Sequence, residues 1–186
     1  MVAKIEPLLT VEDLDACPDD GNRYELIGGE LFVSRAPRIP HQLALQNLQL
    51  EIGTYLKGRA IGRLVPGAGT VFSDYDAVIP DLVFVLNERW SDVVSKGIFV
   101  AAPDLAIEVL SPGAENRRRD LSVKRQLYAQ YGVKEYWAVD PENRSVEIYR
   151  LSGRTLERAA MLMDDDAITS PLLPGFELKV RTVFNL

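Results

Sequence analysis

The chain has 186 residues, of which 47% are hydrophobic and 26% charged; enough apolar surface is present to offset chain ordering, so a globular domain is expected and disorder is excluded as its state. A single cysteine, Cys17, excludes an intrachain disulfide and any cysteine-based metal cluster. No apolar stretch approaches the roughly 20 residues that span a bilayer, and the net charge of −6 argues against nonspecific coating of nucleic acid.

In chain order, the N-terminus MVAKIEPLLTVEDLD turns acidic at once and lacks the apolar run of a secretory leader, so a cytoplasmic protein is expected. Residues 5–22 carry six acids and no Lys or Arg. Within them LTVEDLDACP predicts a short helix capped by Thr10 and stopped at Pro18. RYELI-GG-ELFVS follows, two alternating runs about Gly28-Gly29, the pattern of a tight hairpin. From Pro40 the positions of His41, Leu45, Leu48, Ile52 and Tyr55 mark one face of a helix.

A strand-like GRLVPGAGTVF comes next, then DLVFVL after Pro80 and DLAIEVL after Pro103. The last two are apolar on both faces, as strands of a covered sheet are. A helix is expected over 116–131. It opens on NRRRDLSVKR, a segment of charge +4 in an acidic chain, read either as a solvated helix start or as an anion contact. KEYWAVD and RSVEIYR flank Asp140-Pro141-Glu142-Asn143 as a second hairpin, and Ser152-Gly153-Arg154 suggests a third. The expected class is α/β with a mixed sheet.

Three residues break the packing rules. Glu108 sits mid-strand in DLAIEVL, on one face with Ala106 and Leu110, while Leu105, Ile107 and Val109 face the other way. A buried carboxylate there is costly unless paired or metal-bound; an edge strand facing water is the alternative. Asp81 opens the neighbouring strand, and two such carboxylates suit a hard cation, since Mg²⁺ takes one or two protein carboxylates. Asp104 is the rival partner, but it lies about 13 Å from Glu108 along the same strand. Third, at about 100° per residue, Lys124 falls inside the apolar arc of its helix, between Tyr131 and Tyr128, together with Asp120. The two form an i, i+4 pair with the acid first, so a structural ion pair or a snorkelling lysine competes with a catalytic role. Two acids and a base at core positions suit metal-assisted phosphodiester hydrolysis, with Lys124 orienting water or adding electrostatic stabilisation and Arg117, Arg118 and Arg119 contacting flanking phosphates.

RYELIGGEL, PHQLALQNL, IPDLVFV, PDLAIEVLSP, RRRDLSVKRQLYAQYGVKEYWAVDPE and LPGFEL resemble, in that order, the Uma-two restriction endonuclease family of the PD-(D/E)XK nuclease superfamily, over about residues 8–184. The resemblance implies one restriction-endonuclease-like domain over 1–186, with a mixed sheet flanked by helices and additional antiparallel hairpins. It maps the superfamily's Asp to Asp81 and its Glu to Glu108. The expected Lys two residues after the Glu is replaced by Leu110, and a helix lysine is thought to substitute, which maps to Lys124. An additional acid from an early element corresponds to Glu25 or Glu30. His41, the only histidine, is either a structural core residue or faces the metal site.

The expected function is therefore a Mg²⁺- or Mn²⁺-dependent DNA endonuclease. It would be a homodimer, since a two-fold pair is the simplest way to cut both strands. A DNA-binding or regulatory module that has lost turnover, or a hydrolase of small phosphate esters, are the alternatives.

Overall fold

The structure, a computed structural model, describes residues 8–185. Thr10 precedes the short helix α1 (Val11–Leu14), and the Asp13 carboxylate accepts from the Thr10 backbone N–H (2.7 Å) and hydroxyl (3.0 Å). The expected hairpin follows as β1 (Arg23–Ile27) and β2 (Glu30–Ser34), with Ile27 opposite Glu30. Gly28 and Gly29 have φ of +59° and +76°, the left-handed pair that a two-residue turn between twisted strands demands. Helix α2 (Ile39–Leu56) buries His41, Ala44, Leu45, Leu48 and Ile52 along the expected stripe, with Pro40 in its first turn.

GRLVPGAGTVF, expected as one strand, is two: β3 (Gly62–Pro66) and β4 (Thr70–Ser73) lie in different sheets. Gly67, at φ +58°, turns the chain between them at no steric cost. Then come β5 (Asp76–Val78), β6 (Leu82–Leu86), the short α3 (Trp90–Val93), the two-residue strands β7 (Val94–Ser95) and β8 (Ile98–Phe99), and β9 (Leu105–Val109).

The helix expected over 116–131 starts earlier and is not uniform. It consists of α4 (Ala114–Arg118), a π turn over Arg119–Lys124, and α5 (Arg125–Tyr131), closed by Gly132 in the left-handed conformation. The chain ends with β10 (Glu135–Asp140), β11 (Ser145–Ser152), β12 (Thr155–Met163), β13 (Ala167–Ser170), β14 (Leu173–Lys179) and α6 (Val180–Val183).

The central sheet has the order β12-β11-β10-β9-β6-β3. Its β9–β10 pair is parallel and the others are antiparallel, so it is mixed, as the order of elements implies. Both faces are covered. On one, Leu82, Phe84, Leu105, Ile107 and Val109 pack with α2, the β13–β14 hairpin and α6. On the other, Ala106, Leu110 and Ala138 meet Leu127 and Tyr128 of α5 and Val78 of a second sheet, ordered β2-β1-β5-β4-β8-β7. Burying a Leu, Ile or Phe side chain contributes about 1.5–3 kcal/mol, so this two-sided burial holds β9 rigidly in place. Among the described residues no helix is long and apolar enough to cross a membrane.

Candidate active site

The ladder places the first two site residues. Strands β6 and β9 are antiparallel with Leu82 opposite Ile107, so one further step in that register sets Asp81 opposite Glu108, on the same sheet face. Strand β9 is interior, flanked by β6 and β10, which removes the water-facing alternative for Glu108; its exposure is 3%. Asp104, at the other end of β9, pairs instead with Arg89 (2.8 Å) and Lys134 (2.7 Å).

Around this pair four more elements converge. From β1 comes Glu25, buried, accepting from the Ile79 backbone N–H (2.8 Å). Its hairpin is fastened where Asp76 accepts from the Gly28 N–H (2.7 Å) and from the Tyr131 hydroxyl of α5 (2.7 Å). Arg23, two residues earlier on the same face, reaches Asp81 Oδ1 at 2.8 Å. From α2 comes His41, whose Nε2 lies 3.1 Å from Asp81 Oδ2. That oxygen also accepts from the Val109 backbone N–H at 3.0 Å. From the π turn come Arg119, Asp120 and Lys124, and from α5 comes Tyr128.

Lys124 corrects one expectation. Its ammonium does not pair with Asp120. It lies 2.8 Å from Glu25 Oε1 and 3.0 Å from Glu108 Oε1. The π turn lies between Asp120 and Lys124, and its wider winding takes the two out of the i, i+4 alignment that a regular helix would give them. Asp120 is bound by Arg119 instead, at 3.0 Å, and Arg119 also donates to the Ser34 hydroxyl at 2.6 Å.

The remaining expected residues fall on either side of the cluster. Glu25 enters it, whereas Glu30 is exposed at the hairpin tip with no partner in the site. Arg119 lines the cavity. Arg117 is drawn away to Asp140 at 2.7 Å, and Arg118 is not among the residues that line the cavity. Two contributors lie outside the expected set. The buried Tyr128 hydroxyl donates to Glu108 Oε1 at 2.5 Å; periodicity places Tyr128 on the inner face, but as an apolar residue. Arg23 is signalled only by the alternation of Arg23 and Glu25 in RYELI.

The electrostatics follow from burial. For Asp81, burial acts to raise the carboxyl, but the His41 hydrogen bond and charge, Lys124 and the Val109 N–H outweigh it and hold it well below the usual range. For Glu108, burial dominates, and with Asp81, Asp120 and Glu25 nearby it pushes the carboxyl up to about 8 against the pull of Lys124. Burial would lower Lys124, yet Glu108, Glu25 and Asp120 together raise it above an ordinary lysine, so it stays an ammonium. Burial also raises Asp120, opposed by Lys124 and Arg119. The site thus concentrates four buried carboxylates, Glu25, Asp81, Glu108 and Asp120, around a single buried ammonium, with Arg23 and Arg119 at its edge, a local shortage of positive charge.

That shortage fits a cation. Among the described residues, Glu108 Oε2 accepts no hydrogen bond, and Asp81 Oδ1 accepts only one. Among those same described residues, no group of three or more His, Cys, Asp or Glu closes around a metal position. The protein therefore offers two carboxylates, the set with which Mg²⁺ is typically bound, the other ligands being water and substrate oxygen. The cavity between them is about 30 Å³, room for a water or an ion. His41 Nδ1 is buried without a hydrogen-bond partner among the described residues.

Comparison with known proteins gives the family and the fold. Residues 11–181 match the Uma2 family model, described as "Putative restriction endonuclease". The crystal structure of "a putative nuclease belonging to DUF820" from Anabaena variabilis ATCC 29413 superposes with a TM-score of 0.78 at 20% identity, covering 95% of this chain and 97% of that one. No curated protein matches.

Proposed function

The chain belongs to the Uma2 restriction endonuclease family, and from that footing we propose that it is a metal-dependent endonuclease that hydrolyses phosphodiester bonds in DNA. The observation that carries this reading is the meeting of Asp81, Glu108 and Lys124 at one small cavity. Those are two carboxylates and a cation from three separate elements, each at a position where an ordinary core would be apolar.

Asp81 and Glu108 would hold Mg²⁺ or Mn²⁺. When bound, such an ion lowers the pKa of a water and neutralises charge on the phosphoryl oxygens. Lys124, kept protonated and aimed by Glu25 and Glu108, donates to the attacking water or to a non-bridging oxygen as charge develops there. Tyr128 and Lys124 fix Oε1 of Glu108, while Oε2 accepts no hydrogen bond among the described residues. Asp81 is fixed through both oxygens, Oδ1 by Arg23 and Oδ2 by His41 and the Val109 N–H, so both carboxylates are held before substrate arrives. Asp120 keeps Arg119 against the cavity wall. Each chain carries one such site, so double-strand cleavage is assigned to a homodimer with two-fold symmetry.

Incubation of supercoiled plasmid with Mg²⁺ or Mn²⁺ tests the reading. Nicked and linear DNA with the wild type, lost in Asp81→Ala, is the expected result. Metal-independent cleavage, or cleavage that survives in Asp81→Ala, overturns it. Turnover of a chromogenic phosphodiester with intact plasmid moves the activity to small phosphate esters.

A further inference from the structure

Residues 33–38 carry the chain from β2 into α2 and face residues 111–119, which lead from β9 through α4. Between the two segments runs a cleft of about 300 Å³. Arg35, Arg38 and Arg119 line it, with Ser34, Ser111 and Asn116, and no acidic residue does among the described residues. In a chain with 27 acids and 21 Lys and Arg, an acid-free wall with three arginines is a local reversal of charge. The cleft is continuous with the catalytic cavity, since Ser34, Arg35, Ser111 and Arg119 line both.

The three arginines differ in availability. Arg119 is already bound to Asp120 and Ser34. Arg35 is exposed and Arg38 opens onto the cleft, and neither has an ion pair or a side-chain hydrogen bond among the described residues. Pro37 and Pro40 restrict the backbone of their segment, so the two guanidinium groups stand on a stiff strap. The basic run 117–119 offers less. Arg117 is held by Asp140, and the neighbouring groove that Arg118 lines also contains Glu30 and Glu115, which repel phosphate.

We propose that this cleft seats the sugar–phosphate backbone of the DNA strand beside the scissile bond, with Arg35 and Arg38 as the phosphate contacts. The assignment rests on the nuclease reading above and names where its substrate lies. A row of phosphates, rather than a single small anion, fits an open cleft with two guanidinium groups along one wall, unpaired among the described residues, and an exit into the catalytic cavity. Arginine suits the task because its planar fork matches phosphate oxygens.

The test is fluorescence anisotropy with a dye-labelled DNA duplex over a salt series, without divalent metal. The proteins are the wild type, Arg35→Ala/Arg38→Ala, Arg35→Lys/Arg38→Lys, and the control Lys57→Ala/Arg154→Ala. The control removes the same charge from exposed residues outside the cleft. Removing one bound phosphate lowers the slope of log K against log salt by about 0.9. The double alanine variant is therefore expected to lose about 1.8 in slope and roughly 10- to 100-fold in affinity near 0.1 M salt. Its melting temperature should match the wild type, and the lysine pair should retain most binding. An unchanged slope, or an equal loss in the control, overturns the assignment. If the wild type cleaves plasmid while the alanine pair keeps its slope, the cleft assignment falls and the nuclease reading stands. If the wild type neither binds nor cleaves DNA, both fall. Tighter binding of an RNA duplex than of DNA overturns the choice of DNA.

Discussion

Lys124 is 2% exposed and has two carboxylates within 3.0 Å. Removing it strands Glu25 and Glu108 as buried, unpaired acids, so Lys124→Met is expected to cost about 3–5 kcal/mol of stability. The fraction that remains folded is expected to cleave at least about 100-fold more slowly, the scale for removal of one transition-state donor. Thermal melts and single-turnover cleavage on one preparation check both, and near-normal cleavage would remove Lys124 from the chemistry. Tyr128 acts at one remove. Its hydroxyl only orients Glu108, so Tyr128→Phe is expected to cost about 1–2 kcal/mol, to weaken Mn²⁺ binding in a calorimetric titration, and to leave affinity for DNA unchanged. Unaltered metal affinity would reduce the role of this hydroxyl to packing.

At the scale of elements, the π turn decides which groups of one helix reach the site. The carbonyl of Asp120 accepts from the buried Tyr136 hydroxyl at 3.0 Å, a partner outside the helix of the kind that irregular winding requires. Deleting Ser122 would let α4 and α5 join as a regular helix. With α5 held by Leu127 and Tyr128 in the core, Arg119 and Asp120 would be displaced relative to it, by less than the rotation of a whole α-helical residue because the π turn already takes up one extra residue; a misplacement of about 1 Å is enough to cost about 100-fold in rate. Helical circular dichroism should persist while cleavage falls at least tenfold. Normal cleavage by a folded deletion variant would show that the π turn has no part in the site.

Over the whole molecule, acid sensitivity should come in part from Asp104, which fastens β9 to its surroundings from the end opposite the site. Burial raises this carboxyl, but Lys134, the Leu86 N–H and Arg89 outweigh it and lower it below the usual value. A folded-state pKa below the unfolded one stabilises above the unfolded value, about 3.9, and this contribution is lost as pH falls through the folded one. Asp104→Asn is therefore expected to lower stability at neutral pH by about 1.5–3 kcal/mol, the scale of hydrogen bonds to a charged group. The gap from the wild type should close as pH drops below about 4. A gap independent of pH would mean that the loss is steric.

Local periodicity is enough to read the hairpin at Gly28-Gly29, the buried stripe of α2 and the two-sided burial of β9, because these depend on residues two to four apart. The same spacing exposes Glu108 and Lys124 as charged groups at core positions, and the Pro-Asp start of the neighbouring strand suggests Asp81 as the partner. Spacing cannot reveal which partners those groups choose. Glu25 rather than Glu30 reaches Lys124 because β1 is tied at Asp76 to α5, far along the chain. Lys124 leaves Asp120 because the helix widens into a π turn, which a uniform rotation per residue does not contain. Arginines of one run in the sequence, Arg117 and Arg119, point to different partners, whereas Arg35 and Arg38, in a loop without regular structure, line the cleft beside the site with no ion-pair partner among the described residues. Ion pairing is settled by distances between elements far apart in the chain, and only the packed tertiary structure sets those distances.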